Sequence, residues 1–279
     1  MRTALSIAGS DCSGGAGIQA DLKTFAAHHV YGMSAITALT AQNTLGVQAI
    51  HEAPPEFVAQ ELDSIFDDIR PDAVKIGMVS SAALIATIAE RLRFHKGMNI
   101  VLDPVMVSTS GSRLLAADAQ KVLEDELMPL ALLITPNIPE AEALTGMTIG
   151  RAEDMVAAGR LLAQRFEAGI LVKGGHSVND ANDLLVYDGR EIWFDGKRID
   201  TKNTHGTGCT LSSAIAANLA LGVELPKAIS NAKEYLSEVL RHDPCLGHGN
   251  GPLDHAAIKP PELHRALVES AEQAPRHYS

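Results

Sequence analysis

A chain of 279 residues, of which 46% are hydrophobic and 20% charged, has the composition of a globular protein and the length to bury a substantial core. Its formal net charge of −11 argues against a nucleic-acid-binding surface, because binding a row of phosphates needs clustered Lys and Arg. The three cysteines lack the spacing of a disulfide framework, and we see neither a secretory leader nor an apolar run long enough to span a membrane. We therefore expect a reduced, cytoplasmic protein with no nucleic-acid partner and no membrane partner.

Short apolar runs alternate with longer amphipathic stretches along the chain. We predict strands at residues 4–8, 73–77, 100–103, 132–135 and 170–173, which are almost continuously apolar, as strands covered on both faces are. We predict helices near residues 17–28, 56–69, 82–94, 117–127, 153–166, 210–221 and 226–241. This alternation predicts an α/β fold with a mostly parallel sheet and helices on both of its faces.

Two further stretches are typical of β-hairpins. Residues 34–52 are rich in Ala, Thr, Val and Ile, and Gly46 lies at the expected turn. Residues 184–194 contain Asp188-Gly189 in the middle, a dipeptide that favours the tight turn between antiparallel strands. We therefore expect two hairpins in addition to the parallel strands.

Polar residues and glycines follow five of the predicted strands. These segments are Gly9-Ser10-Asp11, Lys75-Ile76-Gly77-Met78, Asp103-Pro104, Thr135-Pro136-Asn137 and Lys173-Gly174-Gly175. In open α/β sheets, ligands bind at the carboxyl ends of the strands. The sequence therefore predicts a binding site at that edge of the sheet.

The first glycine-rich segment runs from Gly9 to Gly17, directly after the first strand. It is not a P-loop: Gly9 and Gly14 have the required spacing, but Gly15 and Ala16 follow where Lys and Ser/Thr are needed. Its later part fits a dinucleotide fingerprint, but no acidic residue lies about twenty positions further on to hold a ribose. Two interpretations remain: a tight strand-to-helix turn, or a loop that holds a small ligand against its backbone, with Asp21 as a polar anchor.

The second glycine-rich segment is Gly206-Thr207-Gly208-Cys209, at the start of an apolar, Ala-rich run. Free N–H groups at a helix start form an anion site together with the helix dipole, and glycine lets a phosphate approach the backbone closely. Cys209 would lie in the first turn, where the dipole favours its thiolate. The alternative is an ordinary glycine turn with Cys209 as a small buried residue.

Charged and amide side chains near the other strand ends indicate phosphoryl transfer, which needs charge neutralisation, usually by Mg²⁺ held by carboxylates and waters. Asp103 ends a strand, and Lys173 is a candidate phosphate or nucleotide contact. Asn137 and Glu140 can face one way from a helix start, or they form a simple capping pair. Gln42 offers a donor and an acceptor side by side, which suits an aminopyrimidine edge; alternatively it is a satisfied edge-strand residue.

The chain resembles the hydroxymethylpyrimidine/phosphomethylpyrimidine kinases of thiamine biosynthesis, within the ribokinase superfamily. The resemblance covers residues 4 to 255 approximately and rests on motifs that are weak alone but specific together. They are Ile7-Ala8-Gly9-Ser10-Asp11, Ser13-Gly14-Gly15-Ala16-Gly17-Ile18-Gln19-Ala20-Asp21-Leu22-Lys23-Thr24, Thr40-Ala41-Gln42-Asn43-Thr44, Lys75-Ile76-Gly77-Met78, Asp103-Pro104-Val105-Met106, Thr135-Pro136-Asn137-Ile138-Pro139-Glu140-Ala141-Glu142, Val172-Lys173-Gly174-Gly175-His176, Gly206-Thr207-Gly208-Cys209, Gly247-His248-Gly249 and Gly251-Pro252.

The resemblance implies a role for each candidate residue. The anion hole for the transferring phosphate would comprise Gly206, Thr207 and Gly208, and Cys209 stands where most superfamily members carry an Asp base. The ATP side would comprise Asp103, Asn137, Glu140 and Lys173, with Asp103 and Glu140 holding Mg²⁺ partly through water. The pyrimidine edge would be held by Gln42 and Asp21, in a pocket lined by Gly9, Met78 and Val105.

The family also implies an architecture. It is a three-layer α/β/α ribokinase-like fold with a mostly parallel central sheet and small hairpin additions, in one domain over residues 1–260 followed by a polar tail over 261–279. The family usually forms homodimers. One departure is Cys12, where we expect Pro in many relatives, and this difference affects loop stiffness more than chemistry.

The implied reaction is ATP-dependent phosphorylation of 4-amino-5-hydroxymethyl-2-methylpyrimidine and then of its monophosphate. Two alternatives remain open. One is a pyridoxal kinase of the same cysteine-bearing branch, or dual activity, because pyridoxal also presents a hydroxymethyl group on a heteroaromatic ring. The other is a non-catalytic regulator that binds a nucleotide or pyrimidine, which predicts loss of the base, the acids or the anion hole.

Overall fold

The computed structural model describes residues 1–106, 115, 118–174, 182–196 and 198–257. Within these ranges, the strands are β1 Thr3–Asp11, β2 Tyr31–Asn43, β3 Gly46–Glu52, β4 Ala73–Ile76, β5 Ile100–Leu102, β6 Leu133–Ile134, β7 Gly169–Val172, β8 Asp183–Tyr187 and β9 Arg190–Phe194. The helices are α1 Gly17–Ala27, α2 Pro55–Asp68, α3 Ala82–Phe94, α4 Ala119–Val122, α5 Ile138–Thr145, α6 Ala152–Phe166, α7 Thr207–Ala220 and α8 Leu225–Arg241. The tail expected over 261–279 lies outside the described residues.

One sheet contains all of these strands, in the order β3-β2-β1-β4-β5-β6-β7-β8-β9. The six strands from β2 to β7 in this order are mutually parallel. The outer strands are antiparallel: β2 pairs with β3 at one edge, and β7, β8 and β9 pair in turn at the other. The predicted mostly parallel sheet and both predicted hairpins are therefore confirmed.

The strands alternate between two hydrophobic cores, since successive side chains of a strand point to opposite faces. In β5, for example, Ile100 and Leu102 pack into one core and Val101 into the other. The first core is covered by α2 to α6, and the second by α1, α7 and α8. These are the three layers of the expected α/β/α fold. None of the described helices is long and apolar enough to cross a membrane.

Two helix boundaries differ from the prediction, for local backbone reasons. The helix expected at 117–127 is α-helical only over α4, and it continues as a π-helical turn at Leu123–Leu127 and a 3₁₀ turn at Met128–Leu130. Pro129 lacks the N–H that would continue α-helical bonding. Helix α7 begins three residues before the predicted Thr210, because Gly206 adopts φ +84° and forms its N-cap.

Candidate active site

The predicted site lies at β1, where the order in which strands are added to the sheet reverses. From β1 the chain adds β2 on one side and β4 on the other. Loops leaving β1 and its neighbours diverge at such a switch point, and they leave a crevice outside the carboxyl ends of the strands. A separate groove, lined by Asn99, Leu132 and Gly169 among others, lies at the amino ends of β5 to β7, on the opposite edge of the sheet.

The start of α7 rests directly on the first glycine-rich loop. A Cβ at Gly206 would overlap the carbonyl oxygen of Gly15, and a Cβ at Gly17 would overlap that of Gly9. Both Gly206 and Gly17 have positive φ, at +84° and +57°, which glycine adopts without strain. The N-cap Gly206 makes no side-chain capping hydrogen bond, and the Thr207 N–H donates to the Thr204 carbonyl at 3.3 Å. The two glycine-rich segments, separate in sequence, therefore form one continuous backbone surface.

Cys209 lies in the first turn of α7 and is half-buried. Burial raises the pKa of its thiol, whereas the ammonium of Lys75 and a hydrogen bond from the Gly17 N–H act to lower it, and the net shift is upward. A base must be deprotonated to accept a proton. The thiolate form of Cys209 therefore depends on the positive charge of Lys75 beneath it.

Lys75 is fully buried in β4 and paired with Asp21 of α1. Its Nζ donates to both carboxylate oxygens at 2.9 and 2.8 Å, and both side chains are 0% exposed. The hydroxyls of Ser6 and Ser213 donate to the same carboxylate at 2.5 and 2.7 Å. Burial alone would lower the pKa of Lys75, but the charges of Asp21 and Cys209 outweigh it and raise the pKa.

This pairing changes the role expected for Asp21. The sequence suggested a direct contact with the pyrimidine, but the carboxylate has no exposed surface and both of its oxygens are occupied by protein donors. The arrangement instead favours Asp21 as the anchor of Lys75. Gly77 keeps room for the ammonium, because a Cβ there would lie 2.6 Å from Lys75 Nζ.

The expected ATP side forms at the ends of β5 and β7. Lys173 Nζ donates to Asp103 Oδ1 at 2.7 Å, and the Thr135 hydroxyl donates to the same oxygen at 3.1 Å. A Cβ at Gly208 would lie 3.2 Å from Asp103 Oδ2 and 3.7 Å from Lys173 Nζ. The first turn of α7 therefore faces an acid and a lysine from two other strand ends.

Asn137 and Glu140 form a capping box at the start of α5. Asn137 Oδ1 accepts from the Glu140 N–H at 2.9 Å, and Glu140 Oε2 accepts from the Asn137 N–H at 2.8 Å. The capping alternative is thus what the structure contains, yet Glu140 also lies in the field of Asp103 and Lys173. Burial raises its pKa; Lys173 opposes this shift and the like charge of Asp103 adds to it.

The two carboxylates fit a magnesium ion that keeps most of its own waters. Among the described residues, no group of three or more His, Cys, Asp or Glu side chains could hold a metal ion. Mg²⁺ is commonly bound through one or two carboxylates together with substrate phosphates and water. Burial and the like charge of Asp103 disfavour the ionised form of Glu140 and raise its pKa, so a cation bound there would stabilise the carboxylate.

The expected substrate side lies between β1, β2 and β4. A Cβ at Gly9 would lie 2.8 Å from Met78 Cε, so the loop after β4 covers the end of β1. Thr37 Oγ1 fixes that loop by donating to the Met78 carbonyl at 2.7 Å. Val105 is partly exposed just after Asp103, and its N–H donates to the Asp103 carbonyl at 2.8 Å. Gly9, Met78 and Val105 thus lie at the carboxyl ends of their strands, as expected.

Gln42 lies near the end of β2, half-buried, and its side chain contacts His205 and Thr40. His205 directly precedes Gly206, the N-cap of α7, and pairs with Asp11 at 2.8 Å. Neither Asp11 nor His205 was predicted to have a role, although Asp11 lies within one of the family motifs. The only signal was their position beside the two glycine-rich segments, since 194 positions separate them.

A late segment of the chain closes over the β2–β3 turn. The N–H groups of His248 and Gly249 both donate to Thr44 Oγ1 at 3.2 Å, and the Asn250 N–H donates to the Thr44 carbonyl at 3.1 Å. A Cβ at Gly249 would overlap that carbonyl. The glycines of this segment are therefore required by its close approach to the hairpin that carries Gln42.

Fold and site together define a three-layer α/β kinase, in which an anion-binding helix start faces acids and a lysine at neighbouring strand ends. The model of the phosphomethylpyrimidine kinase family matches residues 11–254. The chain belongs to this family, and the resemblance inferred from its motifs is confirmed.

The comparisons with individual relatives agree. The chain is 49% identical over 259 residues to the thiamine biosynthesis bifunctional protein ThiED of Geobacter sulfurreducens, which covers 90% of the chain and 51% of that protein. It therefore spans about half the length of this relative. It is 45% identical over 260 residues to the hydroxymethylpyrimidine/phosphomethylpyrimidine kinase of Staphylococcus aureus, covering 92% of the chain and 94% of the relative.

Solved structures show the same fold. The phosphomethylpyrimidine kinase (thiD) of Clostridium difficile 630 superimposes with a TM-score of 0.77 at 46% identity, covering 85% of this chain and 99% of that one. An ADP complex of Bacillus subtilis pyridoxal kinase superimposes with a TM-score of 0.85 at 38% identity, covering 92% and 98%. The chain is thus similar to kinases named for two different substrates.

Proposed function

We propose that this protein is an ATP-dependent kinase that phosphorylates 4-amino-5-hydroxymethyl-2-methylpyrimidine and then its monophosphate to the diphosphate, in thiamine biosynthesis. One observation carries the proposal: the close approach of Gly208 to Asp103 and Lys173. It joins a backbone anion site to the charges that phosphoryl transfer needs. The names of the relatives at 43–50% identity support the same substrate.

In the first step, the hydroxymethyl oxygen attacks the γ-phosphorus of ATP, the bond from that phosphorus to the β–γ bridging oxygen breaks, and ADP leaves. The hydroxyl proton goes to the thiolate of Cys209, the candidate base in the first turn of α7. The N–H groups at Gly206, Thr207 and Gly208 receive the negative charge on the transferring group. In the second step a phosphate oxygen of the monophosphate attacks a second γ-phosphorus in the same way, and it needs no base because it is already an anion.

Lys173 and Asn137 would bind and orient the nucleotide phosphates. Asp103 and Glu140 would hold Mg²⁺, partly through water, and the bound ion would neutralise charge on the phosphates. On the other side of the transferring group, Gln42 would hold the pyrimidine edge in the pocket of Gly9, Met78 and Val105. Asp21 would act through Lys75. We also propose that the protein works in the cytoplasm as a homodimer, on the family resemblance alone.

A second candidate is pyridoxal phosphorylation. It is favoured by the likeness to pyridoxal kinases, at 38% identity for Bacillus subtilis and 30–31% for Staphylococcus aureus. These identities are lower than those to the pyrimidine kinases, which reach 50%.

A mass-spectrometric turnover assay with Mg-ATP tests both candidates. We expect the pyrimidine to yield first a monophosphate and then a diphosphate, and pyridoxal to yield at most a slower monophosphate. Turnover of pyridoxal alone would overturn the proposal in favour of the second candidate. Binding of a ligand without turnover of either substrate would indicate a non-catalytic protein.

A further inference from the structure

A buried Asp–His pair lies between the two glycine-rich segments and the substrate side. His205 Nε2 is 2.8 Å from Asp11 Oδ2 and 3.3 Å from Gln42 Nε2. Asp11 and His205 are 3% and 7% exposed. The same imidazole nitrogen therefore touches a carboxylate and the amide proposed to bind the substrate.

Asp11 decides which group carries the proton. Its Oδ1 accepts from the N–H and the hydroxyl of Ser13, and its Oδ2 accepts from the N–H groups of Gly15 and Ala16. Burial opposes ionisation of Asp11, but the hydrogen bonds from His205 and Ser13 outweigh it and lower its pKa to about 2. An ionised carboxylate only accepts hydrogen bonds, so the proton of the short contact must be on His205 Nε2.

A protonated His205 Nε2 cannot accept from the Gln42 amide. The oxygen and nitrogen of a side-chain amide have nearly the same outline, and their assignment follows from the hydrogen-bond network. Turning the amide over places Gln42 Oε1 beside His205 Nε2–H, as an acceptor beside a donor. It also places Gln42 Nε2 beside Thr40 Oγ1.

The Thr40 side of the amide supports the same orientation. Thr40 Oγ1 lies 3.0 Å from the Ser10 carbonyl and 3.1 Å from the amide atom of Gln42 that faces it. Its single proton can serve only one acceptor. If that proton goes to the Ser10 carbonyl, which cannot donate, the hydroxyl must accept from Gln42 Nε2. His205 Nε2–H donates mainly to Asp11 at 2.8 Å, so its approach to Gln42 Oε1 at 3.3 Å is a weaker, shared contact. The opposite amide orientation would instead set two donors, His205 Nε2–H and the Gln42 NH₂ group, against each other.

We propose that His205, held by Asp11, is a specificity-determining positioning residue that fixes the donor and acceptor order of the Gln42 amide. One N–H and one oxygen lone pair of Gln42 remain free. They match a ring that offers a nitrogen acceptor and an adjacent exocyclic amine, which is the edge of the aminopyrimidine. Pyridoxal has no exocyclic amine beside its ring nitrogen. This inference rests on the proposed function.

Substitution of His205 tests the pair. His205→Phe keeps a ring of similar size but removes the N–H, and His205→Gln places a donor N–H near the position of Nε2. For His205→Phe we expect kcat/KM with the pyrimidine to fall about 10- to 100-fold, mainly through KM, and kcat/KM with pyridoxal to change less than about threefold. His205→Gln should restore most of the pyrimidine value. Equal losses for both substrates, or no rescue by Gln, would overturn the proposal.

Two further measurements separate this inference from the proposed function. Long-range ¹⁵N–¹H correlation spectra of the full chain should show a proton on His205 Nε2, whichever substrate is turned over, and a proton on Nδ1 alone would refute the proton assignment. The wild-type turnover assay tests the function by itself. His28→Phe is the matched control, because His28 is also buried and lies at the end of α1; it should leave the ratio of the two substrates unchanged.

Discussion

Removing either partner of the Asp21–Lys75 pair should destabilise the fold far more than removing an ordinary ion pair. Both side chains are 0% exposed, and the carboxylate accepts two bonds from Lys75 and one each from Ser6 and Ser213. Asp21→Asn leaves a buried ammonium without its counter-charge. Lys75→Met leaves a buried carboxylate with only the two hydroxyl donors.

Breaking a buried ion pair from one side costs about 3–5 kcal/mol. A chain of 279 residues has an unfolding entropy of about 0.6 kcal/mol/K, from about 2.1 cal/mol/K per residue. Each single variant should therefore lower Tm by about 5–9 °C. The double variant Asp21→Asn with Lys75→Met removes both charges, keeps an amide for the two serines, and should lie within about 2 kcal/mol of the wild type.

The free energies of unfolding can be measured by urea titration followed by far-UV circular dichroism, for the wild type, both single variants and the double variant. Lys121→Met is the control, because the Lys121–Asp125 pair is exposed, at 83% and 48%, and should be worth at most about 0.5 kcal/mol. If the changes in unfolding free energy were strictly additive, or if each single variant lost less than about 1 kcal/mol, the reasoning would be refuted. The two buried charges would then not depend on each other for compensation.

Three further predictions concern the proposed centre. Cys209→Ala should slow the first phosphoryl transfer about 100-fold and the second much less, because only the first needs a base; equal losses in single-turnover rates would make Cys209 a positioning residue. Gly206→Ala should cost about 2–4 kcal/mol through overlap with the Gly15 carbonyl, whereas Gly222→Ala, with φ +83° and open space around it, should cost about 1 kcal/mol in urea titrations. Glu140→Gln keeps the capping box but removes a carboxyl group with a raised pKa. Between the ordinary carboxyl pKa of 4.5 and the raised value, the folded wild type holds more protons than the unfolded chain, so its stability falls as pH rises. The variant should lose this slope and require more Mg-ATP, and an unchanged slope would contradict the assignment.

Much of the architecture was predictable from the sequence because its signals are local. Apolar runs fix where strands can be buried, and a dipeptide such as Asp188-Gly189 fixes a turn by its own backbone preferences. The helix start at Gly206 carries the proposed anion site in the backbone itself. The approach of Asp103 to Lys173 was also foreseeable, because the carboxyl ends of parallel strands meet at one edge.

Only the tertiary structure decided which polar side chains are already ion-paired or hydrogen-bonded to other parts of the protein. Asp21 and Lys75 are 54 positions apart, and their pairing depends on α1 and α7 covering the same face of the sheet. Asp11 and His205 meet only because the two glycine-rich segments touch, and this in turn gives the Gln42 amide its orientation. The sequence determined which residues could do the chemistry. The packing of distant segments determined which of them line the proposed site and which hold the others in place, because a buried polar group pairs with whatever partner the fold brings to it.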